Sequence, residues 1–280
     1  MLLSPAVPEL PEVETVRRSL EPHVVGRRVE RVEARRVRLR RGIDPRPWRA
    51  RVQGSTLERL DRRGKYLLAR FERAVAVVHL GMSGRLQLAR PGREREPHTH
   101  LVLGFSGDVE LRFVDPRRFG AAFVVAPGAV DALPELARLG PDPVREDVGP
   151  TLRDAAARSR TPIRNLLLDQ HVVAGLGNIY ANEALARAGI HPLRRADTIA
   201  ARRVARLAVE IRAVLDDALA AGGTTLADGG FADAEGASGY FAVQLAVYGR
   251  EGEPCPRCGA DVRRAVAGNR SVFFCPRCQR

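Results

Sequence analysis

Three groups of residues in this sequence have types and spacings that could do chemistry. Lys65, in Arg63-Gly64-Lys65-Tyr66-Leu67-Leu68, is the single lysine of a chain whose other side chains of fixed positive charge are all arginine. An amine can lose its proton and act as a general acid or base, whereas a guanidinium effectively cannot. The second group is Cys255-Pro-Arg-Cys258 with Cys275-Pro-Arg-Cys278, which uses every cysteine of the chain. Paired C-x-x-C units of this kind form a zinc ribbon, and four thiolates leave no coordination position open to water, so such a zinc is structural. The third is Pro8-Glu9-Leu10-Pro11-Glu12-Val13-Glu14. Pro11 and the acidic residues suit the first turn of a helix, which Pro22 is expected to stop near Glu21. Pro8-Glu9 stays unexplained by that reading. A proline nitrogen is chemically unusual only as a free terminus, and here Met1 to Val7 precede it.

Composition narrows what these groups could serve. Lysine and arginine number 46 against 33 acidic residues, giving a net charge of +13 and a pI near 10.9, the electrostatic footprint of a nucleic-acid partner. No apolar run of membrane-spanning length and no signal peptide is read from the sequence, so a soluble intracellular protein is expected. Disulfides are the poorer explanation for cysteines in that setting.

The elements that must position these residues read as strands first and helices later. Val24 to Arg41, dense in arginine, reads as strand with a solvated basic face, and Gly42 to Pro47 as a turn-rich break; short strand signals then recur at Thr56–Leu60, Tyr66–Phe71, Ala74–Leu80, Arg85–Leu88, Leu101–Phe105, Val109–Phe113 and Ala121–Val125. Leu101/Leu103/Phe105 and Val109/Leu111/Phe113 alternate in period two, and Ser106-Gly107-Asp108 fits the hairpin between them. This pattern suits an antiparallel sandwich or barrel. A Pro-, Gly- and Asp-rich stretch, Pro127 to Pro150, reads as a linker to helices over Thr151–Ser159, Pro162–Asp169, Ile179–Ala188 and Thr198–Ala220, the last closed by Gly222-Gly223. Gly175-Leu176-Gly177-Asn178 leads into a helix N-terminus, either a phosphate site or a plain helix–helix turn. Asp228–Tyr240 has no apolar period and reads as a lid-like loop. Gly268-Asn269-Arg270 falls at a hairpin tip between the cysteine pairs, where the arginine is either solvated or able to reach a phosphate.

Taken together, these stretches resemble the formamidopyrimidine-DNA glycosylase family of bacterial base-excision enzymes. The resemblance runs from Pro8 to Arg280 and is carried by Pro8–Glu14, Gly64-Lys65-Tyr66-Leu67-Leu68, His79-Leu80-Gly81-Met82-Ser83-Gly84, Asp115-Pro116-Arg117-Arg118-Phe119-Gly120, Gly175–Ala181, Gly222-Gly223-Thr224-Thr225-Leu226 and the zinc ribbon. It implies an α+β protein of two domains, an N-terminal antiparallel β-sandwich flanked by helices and a C-terminal helix-two-turns-helix domain with a zinc-ribbon hairpin. The expected boundaries are 1–137, 138–248 with the loop 228–240, and 249–280.

The resemblance also implies a glycosylase and abasic-site lyase acting on damaged double-stranded DNA as a monomer in the bacterial cytoplasm, with one structural zinc. By it, Pro8 is the nucleophile, Glu9 the acid that protonates the sugar ring oxygen, Lys65 the proton donor in β-elimination and Arg270 the residue linked to δ-elimination. An α-amino group, with a pKa near 7.7–8.0 against about 10.4 for lysine, offers roughly 300-fold more free amine at neutral pH. Met82, Arg117 and Phe119 match the side chains that fill the gap left by an extruded base, with Arg117 facing the orphaned cytosine. His98 and Asn178 match phosphate contacts, and Ser159, between Arg158 and Arg160, stands at a usually basic DNA contact. Arg164 stands where the family often has lysine.

The family's proline directly follows the initiator methionine, so Met1 to Val7 are expected to be a non-native extension, with Val7 encoded by a GUG start. The alternatives are an endonuclease VIII-type enzyme for oxidised pyrimidines, or a DNA-binding protein that has lost the nucleophile because the N-terminal extension keeps the Pro8 nitrogen as an amide.

Overall fold

A computed structural model describes residues 7–225 and 232–280. Residues 1–6 of the expected extension and 228–231 of the expected loop lie outside the described residues. The chain divides into two compact units, one built from the N-terminal sheets together with Gly222–Tyr240, the other from Arg138–Ala221 and Phe241–Arg280.

The first unit is a sandwich of two antiparallel four-stranded sheets. One has the order β1 (Val29–Ala34), β6 (Thr99–Phe105), β7 (Val109–Val114), β5 (Arg85–Ala89); the other has β2 (Leu57–Arg63), β3 (Tyr66–Phe71), β4 (Ala74–His79), β8 (Ala121–Val125). The inward residues interdigitate, with Leu60, Leu67, Ala69 and Val78 of one sheet against Leu101, Leu103, Leu111 and Phe113 of the other. Burying such side chains contributes about 1.5–3 kcal/mol each. The β6–β7 hairpin turns at Ser106-Gly107-Asp108 as expected, with Phe105 opposite Val109 and both Gly107 (φ 79°) and Asp108 (φ 57°) left-handed.

Three local readings change. Helix α1 spans Leu10–Val24 and runs through Pro22 instead of stopping near Glu21. In the last turn proline forfeits little of the hydrogen-bond ladder, and continuing it buries Val24 completely. Strand within Val24–Arg41 is confined to β1, because Leu39 and Ile43 anchor the remaining arginines as an irregular lobe. The turn-rich break of Gly42 to Pro47 ends in a helical turn, Pro45–Pro47, which runs on into Trp48–Val52 and buries Trp48 and Val52 in the sandwich core.

In the second unit, α2 (Gly149–Ala157), α3 (Ile163–Leu168), α4 (Asn178–Ala188) and α5 (Ala201–Ala220) are followed by a hairpin of β9 (Arg263–Ala267) and β10 (Arg270–Phe274). Buried Glu183 on α4 accepts the backbone N–H groups of Ala246, Val247 and Tyr248, and Asn182 accepts that of Phe273, so helices and hairpin form one body. Among the described residues no helix is long and apolar enough to cross a membrane.

Candidate active site and nucleic-acid interface

Pro8 and Glu9 lie at the buried start of α1, where Glu9 is only 2% exposed. Glu12, one turn on, orients them. Its carboxylate accepts the Glu9 N–H at 2.8 Å and, through the other oxygen, the Thr224 N–H at 2.8 Å. The segment after Gly222-Gly223 is thereby pinned to the helix start. Leu88 N–H donates to the Ala234 carbonyl, and Ala234 N–H donates to Ser19 Oγ, so the described part of the loop stays against the sheet unit.

Glu14, the next acid on this helix, fixes the lysine turn. Arg62 is fully buried on β2 and donates through Nε to Glu14 at 3.1 Å and through Nη1 to the Gly64 carbonyl at 2.9 Å. Gly64 (φ 55°) is the left-handed residue of the β2–β3 turn, and Lys65 follows it. Burial pushes the Glu14 carboxyl up, but hydrogen bonds and charge from Arg17, with Arg62 and Arg18, outweigh it and hold the group below its ordinary range. A chain of charge-assisted contacts therefore joins the helix carrying Pro8-Glu9 to the turn carrying Lys65.

His79, at the end of β4, pairs with Tyr66 at 4.8 Å between ring centroids and feels the charge of Lys65, a placement that the sequence does not announce. Burial, together with the positive charges of Arg40 and Lys65, depresses its pKa to about 3, so the imidazole is neutral at physiological pH. Its Nδ1 accepts the Gly81 N–H at 3.0 Å, which puts the ring proton on Nε2.

Met82 and the pair Arg117/Phe119 sit on adjacent loops. Phe119 is 48% exposed, conspicuous for so large an apolar ring, and the Arg117 guanidinium lies 5.3 Å from its centroid. A Cβ on Gly81 (φ 67°) would come within 2.4 Å of the Phe119 carbonyl carbon, so only glycine lets the loops approach this closely. His98 is exposed and left-handed (φ 66°) at the end of the β5–β6 loop.

In the helical unit, Asn178 begins α4 after the Gly175 turn (φ 83°), which Gln170 braces by accepting the Gly175 N–H and donating to the Leu176 carbonyl. Asn178 Oδ1 accepts from buried Arg164 at 2.6 Å, and its Nδ2 donates to the Ser271 carbonyl of β10. Arg164 thus replaces more than a lysine's charge, because its fork also reaches Asn165 Oδ1. The Ser159 hydroxyl pairs with Thr161 at 2.7 Å, and the exposed side chains on either side are Arg158 and Arg160.

Arg270 is exposed at the tip of the β9–β10 hairpin, opposite Ala267 across Gly268-Asn269. Below it, the sulfurs of Cys255, Cys258, Cys275 and Cys278 lie within 4.8 Å of one another, with Cys258–Cys275 at 3.5 Å and Cys255–Cys278 at 4.0 Å. A tetrahedral zinc with 2.3 Å bonds requires sulfurs roughly 3.8 Å apart, whereas a disulfide requires about 2.05 Å. The quartet fits one structural zinc.

Comparison with known proteins agrees with this geometry. Residues 7–122 match the formamidopyrimidine-DNA glycosylase N-terminal domain, residues 139–229 the H2TH domain of formamidopyrimidine-DNA glycosylase, and residues 252–280 the zinc finger found in FPG and IleRS. A formamidopyrimidine-DNA glycosylase of Acidithiobacillus ferrooxidans is 46% identical over 98% of this chain and 100% of its own length. The MutM (Fpg) crystal structure from Thermus thermophilus is 42% identical, with a TM-score of 0.86 over 97% of this chain and 98% of that one. A Lactococcus lactis FPG mutant in complex with Fapy-dG-containing DNA is 35% identical, with a TM-score of 0.90 over 98% of this chain and all of that one.

Proposed function

The chain belongs to the formamidopyrimidine-DNA glycosylase family, and we propose that Pro8, Glu9, Lys65 and Arg270 carry its chemistry. The protein excises oxidised purines from duplex DNA in base-excision repair and cleaves the strand at the resulting site. With its nitrogen exposed, Pro8 attacks C1′ of the damaged nucleotide as a secondary amine. Glu9 gives a proton to the ring oxygen as the base leaves, and the nitrogen and C1′ form an iminium. The iminium acidifies C2′: its proton passes to water, the C2′–H electrons form a C2′=C3′ double bond and expel the 3′ phosphate, and Lys65 is the proton donor to the departing phosphate oxygen. Arg270 grips the phosphate beside the lesion and supports the second elimination. Met82, Arg117 and Phe119 occupy the gap in the duplex, while His98 and Asn178 hold phosphates, with Ser159 alongside. The zinc fixes the hairpin that carries Arg270.

The observation that carries this reading is the link from α1 to the single lysine through Glu14, Arg62 and the Gly64 carbonyl. It requires a free Pro8 nitrogen, because an amide nitrogen has no basic lone pair. Translation beginning at Val7, followed by removal of that first residue, provides one. The family match starting at residue 7 supports that start. The protein acts as a monomer at the chromosome, where its substrate lies.

Excision from matched duplexes is the test. A rate for 8-oxoguanine or formamidopyrimidine at least tenfold above that for an oxidised pyrimidine supports the purine enzyme. The reverse order refutes it in favour of an endonuclease VIII-type specificity.

A further inference from the structure

Asp115 is completely buried, yet its hydrogen bonds reach the loops that carry DNA-facing residues. Its Oδ1 accepts the Ser83 hydroxyl at 2.7 Å, next to Met82, and its Oδ2 accepts the Gly120 N–H at 2.8 Å, next to Phe119. The Ser83 oxygen in turn accepts the Arg117 N–H at 3.1 Å. On the backbone, Asp115 N–H donates to the His98 carbonyl at 3.1 Å, and the Asp115 carbonyl lies 2.9 Å from His100 Nε2.

Nothing in the glycosylase chemistry uses this carboxylate. We propose that Asp115 and Ser83 are positioning residues that lock the loops of Met82, Arg117–Phe119 and His98 into a single preformed block. The block enters the duplex as one body and so drives extrusion of the damaged base. This rests on the reading of those four residues as DNA contacts.

The physical reason is the strain and exposure of what is held. His98 (φ 66°) and Arg118 (φ 60°) occupy left-handed conformations that non-glycine residues adopt only under constraint, and Phe119 presents its ring to solvent. Three independent loops would each lose conformational freedom on insertion; a block tied to one buried carboxylate has lost it on folding. The Ser83 hydroxyl is the point at which the tie can be cut without touching DNA-facing side chains, because it donates to Asp115 and accepts from Arg117 at once.

Ser83→Ala should slow insertion into a duplex, read in stopped flow from 2-aminopurine placed beside 8-oxoguanine, by roughly ten- to a hundredfold, the worth of losing a hydrogen bond to a charged group. Single-turnover excision from that duplex should fall by the same factor. Borohydride trapping on a single-stranded abasic oligonucleotide, which has no stack to enter, should keep the parent rate. Ser83→Thr, which restores the hydroxyl, should recover insertion. Parent-like insertion by Ser83→Ala, or an equal loss on single-stranded and duplex substrates, overturns the proposal. Phe119→Ala is the control: if it inserts normally, the wedge reading fails and takes this proposal with it, whereas slow Phe119→Ala beside normal Ser83→Ala overturns the positioning role alone.

Discussion

Replacing Arg62 with alanine should cut the connection between the helix start and the lysine turn while altering none of the proposed catalytic residues themselves. The Arg62 side chain is 0% exposed and the Glu14 side chain 9%, so this is a buried pair. Removing one partner of such a pair costs about 3–5 kcal/mol. Glu14 keeps Arg17 at 3.0 Å and Arg18 at 3.1 Å, which places the loss near the lower end, about 3 kcal/mol. For a domain of 150–250 residues that is a fall in Tm of roughly 6–12 °C. The Gly64 carbonyl also loses its donor, so Lys65 should be less well placed and strand cleavage of a preformed abasic site should slow more than formation of the trapped adduct. Calorimetry and single-turnover nicking on the same preparation test both parts. An Arg62→Ala protein that melts with the parent, or one whose trapping and nicking fall together, refutes the reasoning.

Lys65→Ala should still form the borohydride-trapped adduct but accumulate unreleased intermediate, seen as a drop of at least tenfold in the ratio of nicked to trapped strand. Removing zinc with a strong chelator, or making Cys258→Ser, should release the hairpin, because structural zinc supplies about 10–16 kcal/mol of folding free energy in small domains; metal analysis of the parent should give one zinc per chain, and duplex binding should fall with its loss. His79 has a folded pKa near 3, below its unfolded value of about 6.5, so between those values the unfolded chain binds the extra proton. Its contribution is therefore full above pH 6.5 and lost as pH falls toward 3, and His79→Gln should flatten the decline in stability over that window in a series of denaturant titrations.

What was legible in the sequence and what was not divide along the range of the contacts. The period-two strands around Ser106-Gly107-Asp108 and the cysteine pairs are local patterns, and the structure keeps both. Pro22 is a local signal too, but the pull on Val24 comes from strands far along the chain, and it wins. Glu12 reads locally as a helix-start acid; its second partner, Thr224, lies 212 residues away and no spacing rule announces it. Lys65 stood out by composition alone. His79 and Asp115 did not, because a single histidine at a strand end and an aspartate before proline are ordinary until the fold shows what surrounds them.

The chemistry turns on the bond between Val7 and Pro8. Native protein, reacted with an 8-oxoguanine duplex under borohydride and digested, should give a deoxyribose adduct on a peptide that begins at Pro8, and the unreacted protein should have the mass of residues 8–280. An active enzyme whose intact mass includes Met1 to Val7, or an adduct mapped to Lys65 in place of Pro8, would contradict it.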